Sequence, residues 1–406
     1  MREILQGESL AILRTLPANH FHCCVTSPPY WGLRDYQTGR WEGGDPICQH
    51  GVRRWDGPKQ TQGAQSGHAS AIDRLARKTC RCGALRVDEQ LGLEPTPEKY
   101  VARAVGILRE VWRVLRPDGT LWLNLGDSYA GAPGGFQGKS GQRASRTFTA
   151  RIDVRKGGSD AKPKDLIGIP WMVAFALRAD GWYLRSDVIW AKPNAMPESV
   201  TDRPTKSHEY LFLLSKSERY YYDGESLQEP ATSEKPAGNG FYGRMGGSRR
   251  AAALSGGSGT PEPWADVGGS RNARSVWTVP TQPSSIAHFA TMAPELARRC
   301  IAAGSPRGGA VLDPFGGSGT TAHVAECMGR DATIIELNSA YIATMPERCE
   351  EVRRWYARRH GTPAGMVPPL QRGPQELLPF VVPAAPDDSA RRLYRHDHED
   401  DPRLWN

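Results

Sequence analysis

No apolar run in this 406-residue chain approaches the ~18 residues that a membrane-spanning helix needs, which excludes that class of protein. A leader is missing too: Met1 opens directly onto polar and amphipathic sequence, so the expectation is a protein that is not exported. Cysteine is sparse, at eight residues, and in such a chain it is expected to be buried, reactive or metal-bound in a reducing cytoplasm. Acidic residues are outnumbered, 44 against 52 Lys+Arg, which leaves a net charge of +8 and a pI near 9.1. That balance favours a polyanionic partner such as nucleic acid. What is present describes a soluble globular protein of two or three domains, 39% hydrophobic and 24% charged. Its 44 glycines and 32 prolines imply much loop.

Regular elements alternate in the α/β manner. Arg2 to Gln6 reads as a strand, Leu10, Leu13 and Leu16 mark a helix, and Phe21 to Val25 is a second strand. Glu94 to Pro97 starts the clearest helix, with Val101, Val105, Leu108, Trp112 and Leu115 at helical spacing. Pro117-Asp118-Gly119 predicts a turn before the buried strand Thr120 to Leu125. That strand ends on Gly126-Asp127, and Asp127 is either a pocket residue or a cap. A helix at Ile169 to Arg178 precedes two strand runs, Trp182 to Ala191 and Glu209 to Leu214. Their short, proline-broken connection leaves no room for a crossover, so they are expected to be antiparallel neighbours. The stretches 130–164 and 218–283 are Gly/Ser/Arg-rich, and fit DNA contacts or solvated loop alike.

The second strand stops at Thr26-Ser27-Pro28-Pro29-Tyr30-Trp31. Neither proline can donate to a ladder, so the sheet ends there with stiffly aimed carbonyls and an aromatic beside them. Such oxygens suit a planar amino group, with Tyr30 stacking on its ring; a proline-rich turn with a packing tyrosine accounts for the same residues. Between residues 36 and 92 periodicity fails, and Cys48, His50, Cys80 and Cys82 form Cys-x-His and Cys-x-Cys pairs separated by 29 residues. Four soft ligands would staple a coreless insertion around a structural zinc ion, and free surface thiols beside an unrelated histidine are the alternative.

Near the other end, the buried strand Ala310 to Leu312 runs into Asp313-Pro314-Phe315-Gly316-Gly317-Ser318-Gly319-Thr320-Thr321. A helix, a further strand and the acid Glu336 follow. Glycines let a backbone approach a ligand closely, a helix N-terminus offers free N–H groups, and an acid closing the next strand can hold ribose hydroxyls.

With both motifs in place, the chain resembles the S-adenosylmethionine-dependent DNA amino-methyltransferases, in the group with the catalytic motif N-terminal and the cofactor motif C-terminal. The resemblance covers roughly residues 1–350, apart from the insertion and the recognition stretch. It implies a Rossmann-like, seven-stranded mixed sheet with one antiparallel strand. It divides the chain into a catalytic half (1–35), an insertion (36–92), core (93–217), a target-recognition segment (218–285), a cofactor half (286–353) and a disordered tail (354–406).

By position, it implies that Ser27, Pro28, Pro29 and Tyr30 act on the base. Asp313, Phe315, Gly317, Ser318, Gly319 and Thr320 would line the cofactor, and Glu336 would bind its ribose. Glu8 stands where the family usually has aspartate beside the adenine. The implied partner is double-stranded DNA with a flipped base, and a cognate restriction enzyme goes with many such proteins. Methylation at cytosine C5 uses a Pro-Cys pair in its own family, and no Pro-Cys dipeptide occurs here. In the amino-methylating family Ser-Pro-Pro-Tyr goes mostly with cytosine N4, with adenine N6 the alternative.

Overall fold

The computed structural model describes residues 2–32, 36, 38–48, 80, 82–130, 161–162, 164–230, 270–282, 291–361 and 382–383. The expected opening unit forms as strand β1 (Arg2–Gln6), helix α1 (Ser9–Thr15) and strand β2 (Phe21–Thr26). In the insertion, β3 (Arg40–Glu42) and β4 (Leu85–Val87) make a separate antiparallel pair. Helix α2 (Pro97–Val114) begins where the sequence signals it: the Thr96 side chain accepts from Lys99 N at 3.3 Å and proline occupies its first turn. Its buried stripe is Val101, Ala104, Val105, Leu108 and Val111, and each valine or leucine there contributes about 1.5–3 kcal/mol by leaving water. Trp112, expected on that stripe, is instead 40% exposed and lies under the Lys216 ammonium, 4.2 Å from the ring centre.

Strand β5 (Leu115–Leu125), helix α3 (Ile169–Ala179) and strands β6 (Tyr183–Ala191) and β7 (His208–Ser215) complete the first half. The predicted turn at Pro117-Asp118-Gly119 is absorbed into β5 as an irregularity. Phe21 pairs with Leu115 and Cys23 with Thr120, so five residues of β5 pass two of β2. Two-residue strands β8 (Glu229–Pro230) and β9 (Ser270–Arg271) pair within the stretch 218–285, and β10 (Val276–Thr278) joins the main sheet. Helix α4 (Pro294–Gly304), strand β11 (Ala310–Asp313), helix α5 (Thr320–Cys327), strand β12 (Asp331–Glu336), helix α6 (Ser339–His360) and strand β13 (Val382–Pro383) follow.

The sheet runs β10-β6-β7-β5-β2-β11-β12-β1-β13. All pairings are parallel except those of β7, which is antiparallel to both β5 and β6, as the short connection predicts. Nine strands replace the expected seven, because β10 and β13 add short edges that are too brief to show periodicity. Helix α6 also continues to His360, past the expected end of the cofactor half, because Val352 and Trp355 stay buried on its inner face. Helices α1, α2 and α3 cover one face of the sheet over Leu13, Val111 and Leu177; α4, α5 and α6 cover the other over Leu296, Val324 and Met345. Chain direction across the sheet reverses between β2 and β11, the switch point where ligands bind in such sheets.

Candidate active site

The two motifs meet at that switch point. Thr26, the last residue of β2, donates its hydroxyl to Asp313 Oδ1 at 2.6 Å, which ties the ends of β2 and β11 together. Beyond Thr26 the prolines divide their duties. The Pro29 carbonyl accepts from Tyr100 Oη at 3.0 Å, whereas the Pro28 carbonyl takes no hydrogen bond from a described residue. Trp31 is buried and anchors the turn by donating Nε1–H to the Glu94 carbonyl at 2.8 Å.

Tyr30 is held at its hydroxyl by a polar network that the sequence reading missed. It donates to Glu209 Oε2 at 2.7 Å, and Asn124 Nδ2 donates both to Tyr30 Oη at 2.8 Å and to Glu209 Oε2 at 2.9 Å. Ser27 Oγ sits 3.3 Å from Tyr30 Oη and 3.4 Å from Asn124 Nδ2. Lys192 closes the network as an ion pair with Glu209, its ammonium 4.2 Å from the Trp190 ring centre. Burial raises the Glu209 pKa, but Lys192 and the donors outweigh it and hold the carboxyl below its usual value. Burial, with the Glu209 charge beside it, pushes the Tyr30 hydroxyl well above the usual phenol value. Tyr30 can lie here because position 126 is glycine: a Cβ there would fall 2.5 Å from ring Cε2. Asn124 was detectable as the one amide in the apolar run Leu121–Leu125; Glu209 and Lys192 carried no local signal.

A cleft of about 890 Å³ opens beside this network. Ser27 and Pro29 form one edge; Asp313, Phe315, Gly317, Ser318, Thr320 and Glu336 form the opposite side. Pro28, Tyr30 and Gly319 lie off its lining. Glu8 reaches the cleft while also capping α1, accepting from Ala11 N at 2.7 Å. Glu336 accepts from the amides of Gly317 and Asn338, each at 2.7 Å, so it braces the glycine loop as well as facing the cleft. Burial pushes its carboxyl up to about 7 against those donors. Burial likewise raises Asp313, although Thr26, Thr321 and the Phe315 amide donate to it. Four carboxylates, Glu8, Glu89, Asp313 and Glu336, thus line one cleft of a chain whose net charge is +8, a setting for a cationic ligand.

Two further groups resolve differently. The Asp127 carboxylate accepts from Gly168 N at 3.0 Å and Ile169 N at 3.1 Å, capping α3 and staying out of the cleft; of its two sequence readings, the cap is the one seen. Cys48, Cys80 and Cys82 converge, with their sulfur atoms all within 4.8 Å, whereas His50 lies outside the described residues. So do the basic residues Lys139, Arg143, Arg146, Arg151, Arg155 and Lys156. Among the described residues no helix is long and apolar enough to cross a membrane.

Known proteins resemble this chain in sequence over most of its length. The family described as DNA methylase, of the N6/N4 type, matches residues 21–347 and so includes both poles of the cleft. The Type II methyltransferase M.XycI of Xanthomonas campestris pv. cyanopsidis is 40% identical over 347 residues, covering 86% of this chain and 87% of its own. M.Cfr9I of Citrobacter freundii is 41% identical over 339 residues, with 84% of each chain covered. M.SmaI of Serratia marcescens is 38% identical over 346 residues, covering 85% and 90%. With strand ends, cleft and sequence in agreement over most of its length, the chain belongs to the N6/N4 family of DNA methylases.

Proposed function

We propose that this protein methylates the N4 amino group of cytosine at a specific site in double-stranded DNA, with S-adenosylmethionine as methyl donor. The observation that carries this reading is the contact between Thr26 and Asp313, which sets Ser27 at the edge of the four-carboxylate cleft. When bound, the cofactor supplies an electrophilic methyl on a sulfonium. Asp313, Phe315 and the loop through Thr320 would hold its methionine side, Glu336 its ribose and Glu8 its adenine edge.

An exocyclic amino nitrogen is a poor nucleophile because its lone pair is delocalised into the ring. Ser27 Oγ and the Pro28 carbonyl accept its two N–H hydrogens, which favours a tetrahedral nitrogen with its lone pair localised. Tyr30, its hydroxyl pinned by Glu209 and Asn124, packs against a base flipped from the duplex. The lone pair so aimed would take up the methyl group that the bound cofactor supplies, and the nitrogen would release one proton to solvent. Serine, neutral and able both to donate and to accept, suits the N3 and N4 edge of cytosine.

Methylation of duplex DNA, digestion to nucleosides and mass spectrometry test this directly. N4-methylcytosine is the expected product. N6-methyladenine would instead assign the enzyme to the other branch, and label found only in RNA or protein would overturn the DNA reading. Because the relatives are Type II methyltransferases, a cognate restriction enzyme is proposed as the biological counterpart; protection of methylated DNA from such an enzyme tests it. The three thiols of the insertion are proposed to hold a structural zinc ion.

A further inference from the structure

The insertion is joined to the cofactor cleft by a short, fragile element. Cys48 ends one tight turn, donating its amide to the Asp45 carbonyl at 3.0 Å. Cys80 begins another, in which Gly83 N donates to the Cys80 carbonyl at 2.9 Å and Cys80 N to the Ala84 carbonyl at 2.7 Å. These turns bring Cys48 Sγ within 3.7 Å of Cys80 Sγ. Two thiolates bound tetrahedrally to one zinc ion at ~2.3 Å stand about 3.8 Å apart, whereas a disulfide would bring them to ~2.05 Å. Packing at the turns is specific: Gly44, at φ +75°, lies so close to Cys82 that a Cβ there would fall 2.8 Å from its sulfur. Among the described residues at these turns, Ile47 is 89% exposed and Leu85 53%, so neither adds apolar packing beside the thiols.

From the thiols the chain passes into β3 and β4, a ladder of three residue pairs from Glu42–Leu85 to Arg40–Val87. At its far end Thr38 donates to Asp88 Oδ1 at 2.8 Å, and Tyr36 N to Gln90 Oε1 at 2.7 Å. Tyr36, Thr38, Glu89, Gln90 and Leu91 are themselves a wall of the cleft. Tyr36 also meets α6: its carbonyl accepts from Asn338 Nδ2 at 3.1 Å and its ring packs edge-on against Tyr341. A two-stranded ladder of this length is not stable alone in water. A cross-link at its open end is what would fix the wall at the other.

We infer that Cys48, Cys80 and Cys82 bind one zinc ion, with one further donor completing the tetrahedron, and that this ion sets the affinity of the cofactor cleft through the β3–β4 ladder. The second half of the inference depends on the cleft being the S-adenosylmethionine site.

The experiment uses the full chain. Metal content is measured by plasma mass spectrometry, zinc is removed by a thiol-directed mercurial with a chelator, and the thiols are regenerated. Cofactor affinity is then measured calorimetrically before removal, after it, and after zinc or magnesium is restored. About one zinc per chain is expected, with cofactor binding weakened at least ~10-fold on removal and recovered with zinc but not with magnesium. Cobalt substitution should give a thiolate-to-metal absorption band that weakens in Cys48→Ser and in Cys82→Ser, a readout that needs no activity. A chain that neither holds nor takes up zinc overturns the metal site. Zinc loss that leaves cofactor affinity unchanged overturns the coupling. Zinc-loaded protein that fails to bind S-adenosylmethionine overturns the cleft assignment instead, with the metal site intact.

Discussion

Replacing Ser27 with alanine removes one oxygen from the mouth of the cleft and leaves the opposite wall untouched. Ser27→Ala should therefore lower kcat by about 10²–10³ while leaving cofactor affinity within about twofold, since the lost hydrogen bond strengthens at the transition state. Single-turnover methylation and calorimetry together check this. Glu336 carries a pH dependence. Its carboxyl titrates at about 7, and ribose hydroxyls donate best to the ionised form. Cofactor affinity should rise with pH through about 7 and level off above it; a fall over that interval would exclude the ribose role. Lys192→Met leaves Glu209 unpaired. The two side chains keep 18% and 17% exposure, so the stability loss should sit near the lower end of the ~3–5 kcal/mol seen for fully buried pairs. In the native protein the Glu209 carboxyl is held below its usual value, so its contribution is present above about 4.5 and is lost as pH falls through the lowered value. The deficit of the variant should accordingly be largest near neutrality and shrink toward acid, as read from urea unfolding curves.

At the scale of elements, α3 depends on a residue that sequence alone left between two roles. Asp127 lies at the carboxyl end of a buried strand, where pockets form, yet its oxygens meet the first amides of α3. Asp127→Ala should cost about 0.5–2 kcal/mol in unfolding free energy without changing cofactor affinity. A large loss of cofactor binding, with stability preserved, would contradict the cap. The elements themselves were legible where periodicity was strong, as in α2, β2 and β12. They were misread where it was weak. Pro117-Asp118-Gly119 carries every local sign of a turn, but Leu115 before it and Thr120 after it both pair with β2, so it becomes an irregularity inside β5. Trp112 sits at core spacing, yet the position opens to solvent beside Lys216.

For the whole molecule, charge is divided. The chain carries +8, while the cleft gathers four carboxylates, so the excess positive charge lies elsewhere and is available to phosphates. DNA binding should weaken by more than about tenfold between about 50 and about 200 mM salt, with cofactor binding far less affected. Fluorescence anisotropy with duplex DNA, run beside cofactor calorimetry, separates the two. A salt-independent DNA affinity would count against phosphate contacts as the main source of binding.

Sequence by itself determined the order of the main strands and helices, the reversed strand and the two motifs, because each is written in local chemistry: apolar period, proline and glycine. It named Ser27 and Asp313 separately, nearly three hundred residues apart. That they line one cleft was decided by the tertiary structure, where parallel pairing of β2 with β11 aligns their carboxyl ends. Only the fold could bring Asn124, Glu209 and Lys192 around Tyr30, since they come from β5, from β7 and from just beyond β6. Only the fold could also show that the ends of the insertion wall the cleft, because a loop without periodicity carries no signal of where its ends dock.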